Sequence, residues 1–257
     1  RSLSARNAAP GGLGALSVQS ARVRVDDLTR PVLGVELSGE GALQSLIAFA
    51  NGGPLARFLR PVLGFASGTG RAGLDLALEA PLHRGSNRSL TLDGSLFLGG
   101  NDLGFGRADL TFEGADGAVG FDERGVRVSN LRASLFGRPV TLNGESAGRG
   151  EDALTEIELG GAFEASDVLS HYGIPLDRFV RGASRWTVAL SAPHSIAKLR
   201  RDGVRLLARS DLVGTRLLLP APLEKPSGES VSITVSTAFR ESASATRWRI
   251  DHGERLR

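Results

Sequence analysis

The residues with the clearest chemical potential are Gly144-Glu145-Ser146-Ala147-Gly148, a G-x-S-x-G arrangement just after the apolar pair Val140 and Leu142. In a nucleophile elbow this spacing puts a serine on a sharp turn between a strand and a helix, where a histidine can take its proton. The helix half is missing: Gly148 and Gly150 follow, then a strand-like stretch from Leu154 to Leu159. No HGGG-like oxyanion segment precedes the motif, and nothing singles out His171, His194 or His252 downstream. The motif reads as a turn, and an esterase using Ser146 is the rival reading. Gly68-Thr69-Gly70-Arg71-Ala72-Gly73 matches G-x-G-x-x-G, but a dinucleotide site needs that loop to leave a strand and open a helix. Here it leaves a helical pattern and opens a strand, so no nucleotide is expected. Gly99-Gly100-Asn101-Asp102 has the texture of a calcium-binding repeat, but a single copy cannot build that site, so it reads as a turn. Asn87-Arg88-Ser89 is a glycosylation sequon without further meaning here.

Metal and acid–base chemistry find no foothold. His83, His171, His194 and His252 form no H-x-x-x-H pair, and there is no cysteine to supply a thiolate ligand. Asp26-Asp27 and Asp122-Glu123 look like solvated turns, and no carboxylates can be given acid and base roles. Neither cofactor nor metal is expected.

The elements that would position such residues are strands. Val23 and Val25, Leu33 to Leu37, and Leu74, Leu76 and Leu78 alternate with polar residues, as do Leu96 and Leu98, Leu110 and Phe112, Val188 and Leu190, and Val231 to Val235. The phase changes between Val126-x-Val128 and Leu131-x-Ala133-x-Leu135, which predicts a bulge near Ser129 and Asn130. Ala115-Asp116-Gly117, Glu123-Arg124-Gly125 and Gly148-Arg149-Gly150 carry turn chemistry. Two stretches read as helical: Ala42 to Phe65, broken at Gly52-Gly53-Pro54, and Ser166 to Val180, with Ser166 as cap and Val168 and Leu169 facing inward.

The composition narrows the function classes. Aromatic residues are 5% of the chain, too few for the girdles of a membrane β-barrel. No apolar run approaches the roughly 18 residues of a spanning helix. The net charge is +3, and all the basic residues except Lys198 and Lys225 are arginines scattered among acids, which argues against nucleic acid. The chain starts at Arg1 and contains no methionine, so it is expected to be a piece of a longer protein, one continuous segment over 1–257.

One phrase carries a resemblance. Leu217-Leu218-Leu219-Pro220-Ala221-Pro222-Leu223-Glu224-Lys225-Pro226 resembles a recurring segment of the YhdP family, within the wider AsmA-like group that includes TamB. Gly125 to Val140, with Leu135-Phe136-Gly137-Arg138-Pro139-Val140 as its hairpin, and Phe163 to Trp186 are similar to other family segments. The resemblance implies a periplasmic protein of diderm bacteria, anchored in the inner membrane through regions outside this chain. It further implies that the protein carries phospholipid between inner and outer membranes along a β-groove.

The expected fold is therefore mainly β: an elongated, twisted antiparallel sheet curled into an open apolar groove, with two short helical insertions. The groove is expected to be lined by Leu74, Leu76, Leu78, Leu90, Leu92, Leu96, Leu98, Leu110, Phe112, Val126, Val128, Val188 and Leu190. The partner is phospholipid, no nucleic acid is involved, and no turnover is expected. A structural or protein-binding β module of the envelope is the alternative.

Overall fold

The structure, a computed structural model, describes residues 3–7, 11–13, 16–26, 29–52, 63–64, 66–82, 90–106, 108–148, 150–221, 223–240 and 248–252. The sequon at Asn87 and His83 lie outside them. Alternating Leu, Val and polar residues give strands wherever one face can be buried and the other wetted. The result is a mainly β chain.

The strands are β1 (Leu3–Asn7), β2 (Gly11–Leu13), β3 (Leu16–Asp26), β4 (Val32–Ala42), β5 (Ala66–Gly68), β6 (Arg71–Pro81), β7 (Thr91–Phe105), β8 (Leu110–Asp122) and β9 (Gly125–Leu135). They continue as β10 (Arg138–Ala147), β11 (Leu154–Glu164), β12 (Val180–Arg181), β13 (Ala183–Pro193), β14 (Val204–Ser210), β15 (Arg216–Leu217), β16 (Ile233–Phe239) and β17 (Arg249–His252). Fifteen of them form one sheet whose main path keeps chain order from β1 to β17; the pairs are antiparallel and the sheet does not close into a barrel. β12 and β15 form a separate two-stranded ribbon.

The register shows how one apolar face arises. Residues opposite each other in paired strands share a face. Leu74, Leu96, Val119, Val128, Gly144, Ile157, Leu190, Leu206 and Thr237 form one such row across nine strands. Leu131, Leu142, Leu159, Val188, Ala208, Val235 and Ile250 form the next. Glycines leave room for rings on this face. A Cβ on Gly94 would overlap the Phe121 ring, and one on Gly161 would crowd Phe163 and Val140.

Among the described residues, helices interrupt the meander. Helix α1 (Leu43–Gly52) buries Leu43, Leu46, Ile47 and Ala50, the i, i+3, i+4, i+7 stripe of an amphipathic helix. It is stapled to the next hairpin, since the Leu43 N–H donates to the Gly70 carbonyl at 2.9 Å and the Gly68 N–H to Gln44 Oε1 at 2.9 Å. The predicted helical stretch over Ala42 to Phe65 is thus helical through Gly52, and 53–62 lie outside the described residues. Helix α2 (Ala165–His171) and a 3-10 turn (Asp177–Phe179) occupy the second predicted stretch. Ser166 is inside α2 and does not cap it: the N-cap is Glu164, without a side-chain cap bond. Helix α3 (Ile196–Asp202) was not expected; its exposed Ile196 and run of Arg and Lys give little apolar periodicity to read.

The predicted bulge is present. Val128 pairs with Gly144 and Leu131 with Leu142, so Ser129 and Asn130 stand against Asn143 alone. Asn130 takes φ 51° and its N–H donates to Asn143 Oδ1 at 2.8 Å. Two predicted turns are corrected. Gly99-Gly100-Asn101-Asp102 lies within β7 as an irregularity in its pairing with β8, and Ala115-Asp116-Gly117 lies within β8. The reason is Asn101, 1% exposed, which satisfies the bulged backbone. Its amide donates to the Thr69 and Arg71 carbonyls at 2.8 and 3.0 Å, and its Oδ1 accepts the Gly99 N–H at 2.9 Å. Glu123-Arg124-Gly125 is a true hairpin, closed by Asp122 Oδ1 accepting the Arg124 N–H at 2.7 Å.

Candidate functional site: a roofed apolar cavity

The apolar face is covered in two ways. Toward the N-terminal strands α1 fills it. Leu43, Leu46 and Ile47 join Leu74, Leu98 and Val128 in one buried core, against which Leu96 packs. Ala50, Leu92 and Val126 form a second cluster, with Leu76, Leu78 and Leu90 against it. All thirteen expected groove residues therefore lie in or against these two clusters. Four of them, Leu110, Phe112, Val188 and Leu190, also line a cavity of about 490 Å³ further along the same face, and the other nine do not.

This cavity is built between sheet and roof. Its floor includes Leu159, Phe163, Trp186, Val188, Leu206, Ala208 and Val235. One half of the roof is α2 and the segment after it, through Val168, Leu169, Tyr172, Leu176, Phe179 and Val180. The other half is the segment between β14 and β16, through Leu212, Leu217, Leu219 and Leu223, with Trp248 and Ile250 at the side. Thr215 is the exception in an otherwise aliphatic and aromatic lining, and its hydroxyl donates inward to Ser184 Oγ at 3.0 Å. The volume falls within the range of small-molecule sites, roughly 300–1,000 Å³.

Polar pins hold the roof, because α2 itself buries no residue. The Tyr172 hydroxyl donates to the Ala108 carbonyl at 2.8 Å, and burial, reinforced by Asp109, pushes its pKa up to about 12. His171 Nε2 lies 2.7 Å from the Asp109 carbonyl. Arg138 pairs with Glu164 at 2.6 Å at the start of α2. The two roof halves are joined by β12 and β15 and by the Leu218 N–H donating to the Phe179 carbonyl at 2.7 Å.

The second half is organised by a lysine, 2% exposed, inside the Leu-Pro-Ala-Pro-Leu-Glu-Lys-Pro phrase. Lys225 Nζ donates to the carbonyls of Leu212, Thr215 and Pro226 at 2.8, 2.8 and 3.0 Å. Burial lowers its pKa, with Glu229 and Asp211 pulling the other way. Those three acceptors match the three donors of an ammonium group, so the charge is caged by carbonyls. The rarity of lysine was the one sequence signal that could have pointed to it.

Ser146 sits where no elbow can form, since the 3-10 turn Gly150–Asp152 and then β11 follow it. Its Oγ accepts the Val126 N–H at 2.9 Å and lies 2.6 Å from Thr155 Oγ1, which lies 2.8 Å from His194 Nε2. The serine thus reaches a histidine only through a buried threonine, while serving a strand-end N–H. The Ser146 hydroxyl donating to Thr155 Oγ1, and the Thr155 hydroxyl to Nε2 of a neutral His194, satisfies all three groups. Burial lowers the His194 pKa and so favours that neutral form. Gly68 to Gly73 runs from β5 through a turn at Gly70 (φ 81°) into β6, and no helix follows it.

The fold and cavity define a class: an open antiparallel sheet with one continuous apolar face, partly filled by its own helix and partly roofed over a cavity. A family model described as YhdP protein matches residues 6–257, and the chain belongs to this AsmA-like family of envelope proteins. No curated protein and no solved structure shows a significant match to it. Among the described residues no helix is long and apolar enough to cross a membrane.

Two outcomes follow. Replacing Lys225 with Met strands three carbonyls and is expected to cost about 2 kcal/mol, read by urea unfolding, the loss of a buried charge offsetting part of the penalty. The folded chain holds the His194 proton less tightly than the unfolded chain does, so acid favours unfolding. That contribution is intact above the unfolded histidine pKa of about 6.5 and is lost as pH falls below it. His194→Gln should flatten this part of the stability profile below about pH 6.5; an unchanged slope would contradict the assignment.

Proposed function

We propose that this chain is a lipid-carrying segment of a periplasmic protein, in which phospholipid acyl chains lie against the apolar face of the sheet on their way between the inner and outer membranes. Flanking regions of the full-length protein would supply the inner-membrane anchor. The observation that carries this reading is the roofed cavity of about 490 Å³ with an almost wholly apolar lining, on a face continuous with the rows beneath α1. Transfer from water supplies roughly 0.8 kcal/mol per methylene, against an association cost of at least about 4 kcal/mol. Only long chains yield a useful surplus, and an apolar wall reads their volume rather than their chemistry. The expected groove residues under α1 would join the path if α1 lifts from the sheet.

A structural or protein-binding module is the second reading, and the dense packing of Leu43, Leu46 and Ile47 on the sheet favours it for the N-terminal portion. Turnover is not part of the proposal, because Ser146 and its neighbours form a saturated hydrogen-bond chain.

Photocrosslinking residues at Leu159, Val188 and Leu206, which face the cavity, should capture lipid in cells, whereas Glu158, Thr187 and Arg205 on the opposite face should not. Equal capture on both faces would sink the lipid reading, and protein adducts alone would favour the scaffold. With short-chain nitrophenyl esters the wild-type chain should show no hydrolysis above the buffer rate. Hydrolysis abolished by Ser146→Ala would restore the esterase.

A further inference from the structure

The roof carries an arrangement that acyl chains alone do not explain. The ribbon of β12 and β15 registers Arg181 directly opposite Arg216. Both residues are exposed, and among the described residues neither has an ion pair with an acid. Like charges directly opposite each other disfavour strand pairing. Elsewhere cross-strand arginines have an acid at hand: Arg22, opposite Arg6 across β1 and β3, also faces Glu36 at 3.0 Å, and Arg132 faces Asp116 at 3.1 Å. Exposed arginines without an acid occur at other places too, Arg209 among them, but here backbone pairing sets two of them directly opposite each other.

Their position ties them to the cavity. Val180 and Leu217, the other registered pair of the ribbon, line it, so alternation puts Arg181 and Arg216 on the outer side of the same ribbon. A third guanidinium, Arg178, stands 4.8 Å from the ring of the cavity-lining Phe179. Beside them Leu176 and Leu218 are 42% and 45% exposed, joined through Phe179, whose N–H donates to the Leu176 carbonyl and whose carbonyl accepts the Leu218 N–H. Leu176, which also lines the cavity, thus carries apolar surface from the cavity to the outside.

We propose that Arg181 and Arg216 form a phosphate clamp on the roof, binding the phosphate oxygens of an amphiphile whose chain occupies the cavity. The proposal rests on the lipid reading above and adds the residues that would hold the phosphate. Guanidinium groups are planar forks that bind phosphate bidentately, and they stay charged at any physiological pH. A phosphate between two of them converts a repulsive pair into a bridged one. The shared chemistry is the phosphate, whether it comes from a lipid or from free phosphate in solution.

Calorimetric titration of the chain and of the double variant Arg181→Gln, Arg216→Gln tests it, with three probes kept below micellar concentration: lyso-phosphatidylglycerol carrying one tetradecanoyl chain, monotetradecanoylglycerol, and inorganic phosphate. The double variant should lose tenfold or more in affinity for the phospholipid and keep its affinity for the acylglycerol. Its thermal midpoint without ligand should be no lower than that of the wild type, because the like-charge pair is gone. Equal phospholipid affinity in both proteins would overturn the clamp and leave the lipid reading standing, and so would a parallel loss for both amphiphiles. If neither amphiphile binds the wild type, the lipid reading itself fails. In that case, phosphate binding that disappears in the double variant would keep the clamp as a site for free phosphate, and no such binding would overturn it.

Discussion

An open sheet with one apolar face has to take that face out of water, and most of the structure answers this requirement. A closed barrel would turn the face inward, but here, among the described residues, the main path ends on two edge strands, β1 and β17. Each exposed leucine would forfeit roughly 1.5–3 kcal/mol of burial, and the face carries rows of them. The chain meets the demand locally. α1 lies on one part of the face, and the two roof halves on another. The cavity remains because the roof spans the face without filling it.

The two coverings are attached by different physics. α1 is held chiefly by packing, with Leu43 fully buried and its neighbours meshed into the core, and by two hydrogen bonds near its start. The roof is held by directional bonds: the Tyr172 hydroxyl on Ala108, the Lys225 cage, and the short ribbon of β12 and β15. Packing resists displacement over its whole contact area, whereas a few hydrogen bonds can be exchanged for bonds to water at a net cost near 1 kcal/mol each. Segments of the second kind belong to the low-stability end of local opening.

Much of the fold was legible in the sequence because period-two alternation is a local signal. The strands, the antiparallel meander and the bulge at Ser129 and Asn130 all follow from residue spacing. The turns predicted at Gly99 and Ala115 did not hold, since bulged strands and hairpins use the same glycine, asparagine and aspartate residues. Only the tertiary position of Asn101, bonded across to Thr69 and Arg71, distinguishes the two. The alternation that gives each strand an apolar face was readable; which residues α1 would cover was not, because that depends on how a helix docks. Trp186, Phe163 and Leu206 joined the cavity through pairing register, which no single strand reveals. Lys225 was visible only as a rare residue in a familiar phrase.

The chain-order meander has a geometrical corollary. Strands in a sheet lie about 4.8 Å apart, so thirteen in sequence from β1 to β17 measure roughly 60 Å of arc. Because each strand bonds to its immediate predecessor and successor along this path, the distance bridged is proportional to the number of strands. One hairpin more or less changes it by about 10 Å without rearranging the rest. Such a sheet works as a ruler, and its length can be adjusted by duplicating or deleting hairpins while the surface along it stays of one kind.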